Sequence, residues 1–325
     1  MRQRTRIALS AAALTALALA LLPPQVRTAL AQTDVVSLAA GVTATSSGTN
    51  KAGPARYLGT YVWRAKGPGF GGFSGLEIDD SGTGLTVLSD RAQLWQGQIR
   101  RDAAGSITGV DVTGSSLLHG TDGKVLTVNS GDSEGLALAP DGTIFISFEG
   151  RARVMQYQTP GGVATELPIP KAFKTFAPNA SLEALAIGPD GALYTLPEDS
   201  GKPGKPFPVY RYKSGKWDQP FSLPRDGQFL SVGADFGPDG RLYVLQRWFH
   251  GITGFSSRVQ RYELTASGIG APELVLETET GDFDNLEGIS VWRDGSGEIR
   301  LTMVSDDNFM FFQQTQLVEF SLPAP

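Results

Sequence analysis

One segment of this chain returns about every fifty residues, and that return limits the fold more than any other feature. It occurs at 74–82, 133–142, 182–191, 232–240 and 286–295. Each copy holds an acid, a short apolar run and a turn closing on Asp-Gly or Ser-Gly. The acids are Glu77, Glu134, Glu183, Asp235 and Glu287, spaced by 57, 49, 52 and 52 residues. A second β-rich run follows each turn, and Asp-Gly between such runs signals a tight hairpin. A third, alternating run follows at 153–157, 209–212, 259–264 and 316–320, and a fourth at 165–169, 219–223 and 273–277.

Four antiparallel strands per repeat, with no helical periodicity, predict an all-β chain folded as a β-propeller. Five repeats predict five blades, and the stretch 117–132 leaves room for a sixth, degenerate one. A β-sandwich with recurring hairpins is the rival, but its strands would not return with an acid at one position. The last repeat stops at its third strand, near Leu322. A spare strand from Arg56 to Trp63 precedes the first repeat. Joining the two supplies the missing outer strand, closes the ring and hides edges that would template aggregation.

The rest of the sequence narrows the chemistry. With no cysteine, disulfide staples, thiolate metal sites and a cysteine nucleophile are excluded. Arg2, Arg4 and Arg6 precede an apolar run at 7–22, and Ala29-Leu30-Ala31 ends it. This reads as a Sec-type signal peptide over 1–31, cleaved near Ala31, with export to a bacterial periplasm or beyond. The apolar run is shorter than the roughly 20 residues needed to cross a bilayer, so no integral span is expected in the mature chain. Residues 32–54 are small and polar and read as a flexible arm, which leaves 55–325 for the propeller. Without Arg2, Arg4, Arg6 and Arg27, 24 basic residues face 33 acidic ones. Such a balance disfavours nucleic acid and anionic lipid as partners.

In a propeller the first strand of each blade lines the central channel, so the five repeat acids are expected around one mouth. The second strands end in charged clusters that should lie beside them: Asp90 and Arg91, Glu149 and Arg151, Glu198, Arg247, then Asp306 and Asp307. Carboxylates crowded out of water repel one another, and some must protonate, pair or bind a cation. Oxygen donors point to Ca²⁺ or Mg²⁺ rather than Zn²⁺, with Ca²⁺ the expected cofactor. The expected metal ligands are Glu77, Glu134, Glu183, Asp235, Glu287, Asp90 and Asp306. Arg91, Arg151 and Arg247 are candidates to hold an anionic substrate group, and His250 is a candidate base in the loop after Arg247. The competing role for each acid is to cap backbone N–H groups of the next blade.

At Phe73-Ser-Gly-Leu-Glu77, Ser89-Asp-Arg91, Ser133-Glu-Gly-Leu136, Asn285-Leu-Glu-Gly288, Ser305-Asp-Asp-Asn-Phe309 and Gln314-Thr-Gln-Leu317, the chain resembles the phytase-like family. Its members are commonly labelled as having esterase-like activity of phytase. The resemblance runs from about residue 56 to the C-terminus. It implies a secreted bacterial β-propeller that hydrolyses phosphate esters or other esters. β-Propeller phytases bind several calcium ions around an acidic channel mouth, and the acids here are similar in kind. The expected function is therefore Ca²⁺-assisted hydrolysis of a small anionic or ester substrate. The alternatives are a non-catalytic propeller that binds a ligand or protein, and a Ca²⁺-dependent lactonase-like hydrolase.

Overall fold

The computed structural model describes residues 43–44, 50–65, 69–265 and 268–323. The leader at 1–31 and most of the arm lie outside them. Five antiparallel sheets follow one another. Blade 1 is Phe73–Ile78, Gly84–Ser89, Gln93–Arg101 and Ile107–Leu117. Blade 2 is Ser133–Leu138, Ile144–Phe148, Arg153–Tyr157 and Thr165–Glu166. Blade 3 is Leu182–Ile187, Leu193–Pro197, Phe207–Lys213 and Lys216–Leu223. Blade 4 is Leu230–Phe236, Leu242–Phe249, Phe255–Tyr262 and Glu273–Thr278. Blade 5 is Asn285–Arg293, Ile299–Asp306 and Gln316–Leu322, completed from the N-terminal side by Arg56–Val62.

That last pairing closes the ring as the sequence predicts. Arg56–Val62 runs antiparallel to Gln316–Leu322, with Tyr61 opposite Leu317 and Thr60 opposite Val318. The first strand of each blade packs against those of its two neighbours, so these five strands form the inner ring. No sixth blade occurs among the described residues; the further sheet is a two-stranded hairpin, Leu264–Thr265 with Gly268–Ile269. The stretch 117–132 has no alternating apolar run, and only isolated bridges such as Arg91–Asp132 and His119–Val125 tie it down.

Two short strands stand where an unstructured arm is expected. Thr43–Ala44 pairs with the outer strand of blade 5, and Asn50–Ala52 with that of blade 4. Asn50 explains the second, since its side-chain amide donates to the carbonyls of Gly53 (2.9 Å) and Ala55 (2.6 Å). Both strands cover outer edges that would otherwise be free to pair with another chain.

The core lies between blades. Leu88, Leu94, Ile146 and Phe148 join blades 1 and 2, and Val154, Leu182, Leu185 and Tyr210 join blades 2 and 3. Tyr194, Phe207 and Leu242 join blades 3 and 4, and Leu245, Leu286, Leu301 and Phe320 join blades 4 and 5. Fully burying each such side chain contributes about 1.5–3 kcal/mol, so the seams between sheets hold the ring shut. The Asp-Gly turns form as expected in blades 2 to 4. In blade 2, Asp141 accepts from the Thr143 N–H (3.0 Å), and Gly142 takes φ 86°. Blade 5 departs from the expectation. There the left-handed residue is Gly297 (φ 91°), not Gly295, because the turn spans Asp294 to Glu298.

Candidate functional site: an acidic mouth on the channel

Every inner strand carries a β-bulge near its start. The registers slip between Phe73 and Gly75, Ser133 and Leu136, Leu182 and Ala184, Ser231 and Gly233, and Leu286 and Gly288. A small residue follows each slip: Gly75, Gly135, Ala184, Gly233 and Gly288. It is small because the next blade presses on it. A Cβ at Gly135 would lie 2.5 Å from the Glu183 carbonyl oxygen, and one at Gly233 2.4 Å from that of Glu287. The residue before it is Ser74, Glu134, Glu183, Val232 or Glu287. A bulge re-aims the side chain it carries, and here it holds Glu134, Glu183 and Glu287 at the mouth.

This register corrects the expectation that all five repeat acids share one mouth. Glu77 and Asp235 lie two positions beyond the small residue, not one before it. They line a separate cavity of about 720 Å³ at the other end of the channel, with Leu138, Phe236 and Trp292. The waist between the two ends is nearly filled by Leu76, Leu136, Leu185, Ala234 and Ile289, which leaves a void of about 10 Å³. Glu77 and Asp235 bridge neighbouring inner strands. The Leu138 N–H donates to Glu77 Oε1 (3.2 Å), and the Val291 N–H donates to Asp235 Oδ2 (2.6 Å). Ser290 holds the same register position and accepts from the Ile78 N–H (2.9 Å). For these two acids the capping role is the one the geometry realises.

At the mouth, Glu287 is the hub. Its charge acts on Asp90, Asp306, Glu134, Glu149 and Glu183. Arg247, from the end of the second strand of blade 4, lies among them. Its Nη1 donates to Glu287 Oε1 and to Asn285 Oδ1 (2.6 Å), and its Nη2 donates to Glu198 Oε1 (2.8 Å). Burial disfavours the cation, but Glu287, Glu183 and Glu198 outweigh that cost and keep its pKa above the usual arginine value.

One cation does not neutralise this ring. Burial pushes Asp306 up to about 9, reinforced by Glu287 and Asp90. Burial likewise raises Glu149 to about 7, against the hydrogen bond it accepts from the Ser181 N–H (2.5 Å). Asp90 rises to about 6, burial outweighing nearby Arg91. Glu134 and Glu183 are raised well above the usual carboxylate range, by burial and then by neighbouring carboxylates. No hydrogen bond to either carboxylate occurs among the described residues; Glu134 is half-buried and Glu183 buried.

Three carboxylates meet more closely than the rest. One oxygen each from Asp132, Glu134 and Glu149 lies within 4.8 Å of the others. Asp132 is absent from the ligand set expected from sequence. It directly precedes the first strand of blade 2, where its carbonyl accepts from the Glu149 N–H (2.9 Å), and the Arg91–Asp132 bridge ties it to blade 1 as well. Glu149 and Glu198 end their second strands, as Arg247 does, so position in the repeat was the available signal for them.

The remaining candidates divide. Arg91 stays on the rim with its Cζ 3.4 Å from the Phe309 ring centroid, and its guanidinium makes no hydrogen bond among the described residues. Arg151 points away from the mouth. It binds Glu166 on the outer strand of blade 2 through two bonds of 2.5 and 2.7 Å, so its expected place at the mouth is not realised. His250 lies on the rim against Trp248 (4.3 Å between ring centroids), and its Nε2 is 2.9 Å from Ser256 Oγ. Asp307 is spent on architecture, accepting from the N–H groups of Gly72 and Phe309 and from the Thr315 hydroxyl.

The sequence model of the phytase-like family, described as "Esterase-like activity of phytase", matches residues 68–309. The chain belongs to the phytase-like family. The match begins five residues before blade 1 and ends inside the mouth loop of blade 5, so it contains every mouth residue named above. No curated protein sequence matches the chain. Solved structures similar to this phytase-like chain include the α-L-arabinofuranosidase PaAbf62A from Podospora anserina, at 13% identity and TM-score 0.47, covering 81% of this chain and 95% of that one. Regucalcin, a calcium-binding protein from Agrobacterium tumefaciens, is 15% identical with TM-score 0.44, covering 88% and 96%. The aldose sugar dehydrogenase from Streptomyces coelicolor is 17% identical with TM-score 0.43, covering 83% and 99%. Likeness of this size assigns neither activity nor ligand. Among the described residues, no helix is long and apolar enough to cross a membrane.

Proposed function

We propose that this chain is an exported hydrolase of phosphate esters or small esters, assisted by a divalent cation and acting at the acidic mouth. The observation that carries the reading is the approach of Asp132, Glu134 and Glu149 within 4.8 Å of one another. Three carboxylate oxygens without sulfur or imidazole suit a hard cation such as Ca²⁺. Two further buried carboxylates, Glu183 and Glu287, stand near enough to act on Glu134 electrostatically. Asp132, Glu134 and Glu149 would hold the ion. When bound, it would polarise a substrate oxygen and lower the pKa of water.

The other residues take roles their geometry permits. Arg91 has a guanidinium free to bind an anionic substrate group from the rim. Glu183, without a hydrogen-bond donor, is placed to accept a proton from the attacking water. Arg247 is a positioning residue: its bonds to Glu198, Asn285 and Glu287 fix the wall opposite the ion site. The family description supports an ester-directed activity. The arginine-led apolar leader over 1–31 supports export.

The test is a panel of phosphomonoesters, phytate, short acyl esters and lactones, assayed with excess CaCl₂ and again with EDTA. The reading predicts turnover of a phosphate or acyl ester that EDTA abolishes and Arg91→Ala weakens by about tenfold or more. Turnover confined to lactones would reassign the substrate. Absence of turnover on the whole panel, with calcium present, would leave a binding propeller and sink the hydrolase reading.

A further inference from the structure

Beside the mouth, blades 4 and 5 raise two loops whose tips are apolar. The first, at 248–254, presents Trp248, Phe249 and Ile252. The second, at 309–315, presents Met310, Phe311 and Phe312. Ile252 is 107% exposed and Phe311 97%, so these side chains project outward. Neither loop contains a lysine, arginine, aspartate or glutamate. Contiguous exposed apolar surface of this kind marks an interaction site.

The two loops form one rim. The segment 279–284 ties them: the Gly281 N–H donates to the Phe255 carbonyl (2.8 Å), while Asp284 accepts from Gln313 Nε2 (2.9 Å) and the Gln314 N–H (2.7 Å). The tips are braced from within the chain. Phe249 lies 5.0 Å from Phe255, and Phe311 sits edge-on to Phe312 at 5.3 Å. The apolar surface is continuous with the mouth, since Phe255 lies 5.9 Å from the Arg247 guanidinium and Phe309 carries Arg91.

We propose that this rim docks the mouth onto a neutral lipid surface. Two observations select that partner. Glu279, Asp282, Asp284 and the mouth carboxylates flank the rim and outnumber Arg91 on Phe309, so the local charge opposes an anionic bilayer or an acidic protein. Uncharged tips that project almost fully suit a fluid interface, which closes around any shape, whereas a rigid partner would need matching pockets. Aromatic and aliphatic tips gain by entering the headgroup boundary. Docking goes beyond the hydrolase reading and does not depend on it, because it is measured without turnover.

The experiment is flotation of the mature chain, without the apolar leader at 1–31, with phosphatidylcholine vesicles, free of calcium. The wild type is expected to float with the vesicles, to the same extent at low and high salt. The triple variant Ile252→Ser, Phe311→Ser, Phe312→Ser is expected to lose at least about tenfold in partitioning, since apolar transfer scales with buried area. Brominated phosphatidylcholine is expected to quench tryptophan emission in the wild type and much less in Trp248→Phe, a readout that stands if the triple variant misfolds. Failure to float, binding that needs phosphatidylserine or vanishes with salt, or equal partitioning by a folded triple variant would each overturn docking. So would a dimer in sedimentation that the triple variant abolishes, which assigns the rim to self-association.

Discussion

Arg247 donates to Glu198, Asn285 and Glu287 in a place where water is scarce, and its removal leaves the Glu198 and Glu287 charges facing one another. Removing one partner of a buried pair costs about 3–5 kcal/mol. Arg247→Met should therefore lower the urea midpoint by an equivalent amount, and adding Glu287→Gln should recover part of it. A silent single variant would mean the arginine contributes no net stability. The acids at the opposite end of the channel give a pH prediction. Burial raises Asp235 to about 7, and Glu77 is raised by burial and then by Asp235. Both folded values exceed the unfolded ones, near 4. The stability these acids contribute is complete below about pH 4 and is lost as pH rises, for Asp235 through about 7. Glu77→Gln keeps the acceptor for the Leu138 N–H and removes one titration. Its thermal midpoint should fall less between pH 5 and pH 8 than the wild type's. Parallel curves for the two proteins would contradict this.

A strand-level feature, the inner-strand bulge, decides which acids reach the mouth. The repeat, the hairpins and the closing strand were legible because β-rich runs and Asp-Gly turns are local signals. The register was not. Glu77 and Asp235 match Glu134, Glu183 and Glu287 as letters, yet the small residue pressed by the next blade sets the alignment. Reading Gly75, Gly135, Ala184, Gly233 and Gly288 as equivalent would have separated the two sets. Asp132 is placed by a backbone bond to Glu149 just ahead of the first strand, and Arg151 by the turn at 149–152 inside blade 2; no alternating pattern encodes where either side chain points. Gly233→Ala puts a methyl 2.4 Å from the Glu287 carbonyl oxygen, a backbone atom with little room to yield. It should destabilise by about 1–3 kcal/mol in chemical denaturation, as overpacking does. Gly142→Ala, with no atom within 4 Å, should show only the smaller cost of a left-handed backbone. Equal losses would mean that interblade pressure does not set the register.

At the scale of the molecule, ring closure gathers eight carboxylates from four blades and their connections: Asp90, Asp132, Glu134, Glu149, Glu183, Glu198, Glu287 and Asp306. No local element holds more than a few of them. Three arginines stand against them: Arg247 is already committed, Arg91 lies on the rim, and Arg153 acts on Asp132. That imbalance is the physical ground for a cation at the mouth. Calorimetric titration of the EDTA-stripped protein with CaCl₂ measures it most directly. The account predicts saturable binding, at least about tenfold weaker in Glu134→Gln. A melt at 100 times the Kd should gain about 2.7 kcal/mol. No heat of binding and an unmoved melt in the wild type, or identical titrations for wild type and Glu134→Gln, would contradict it.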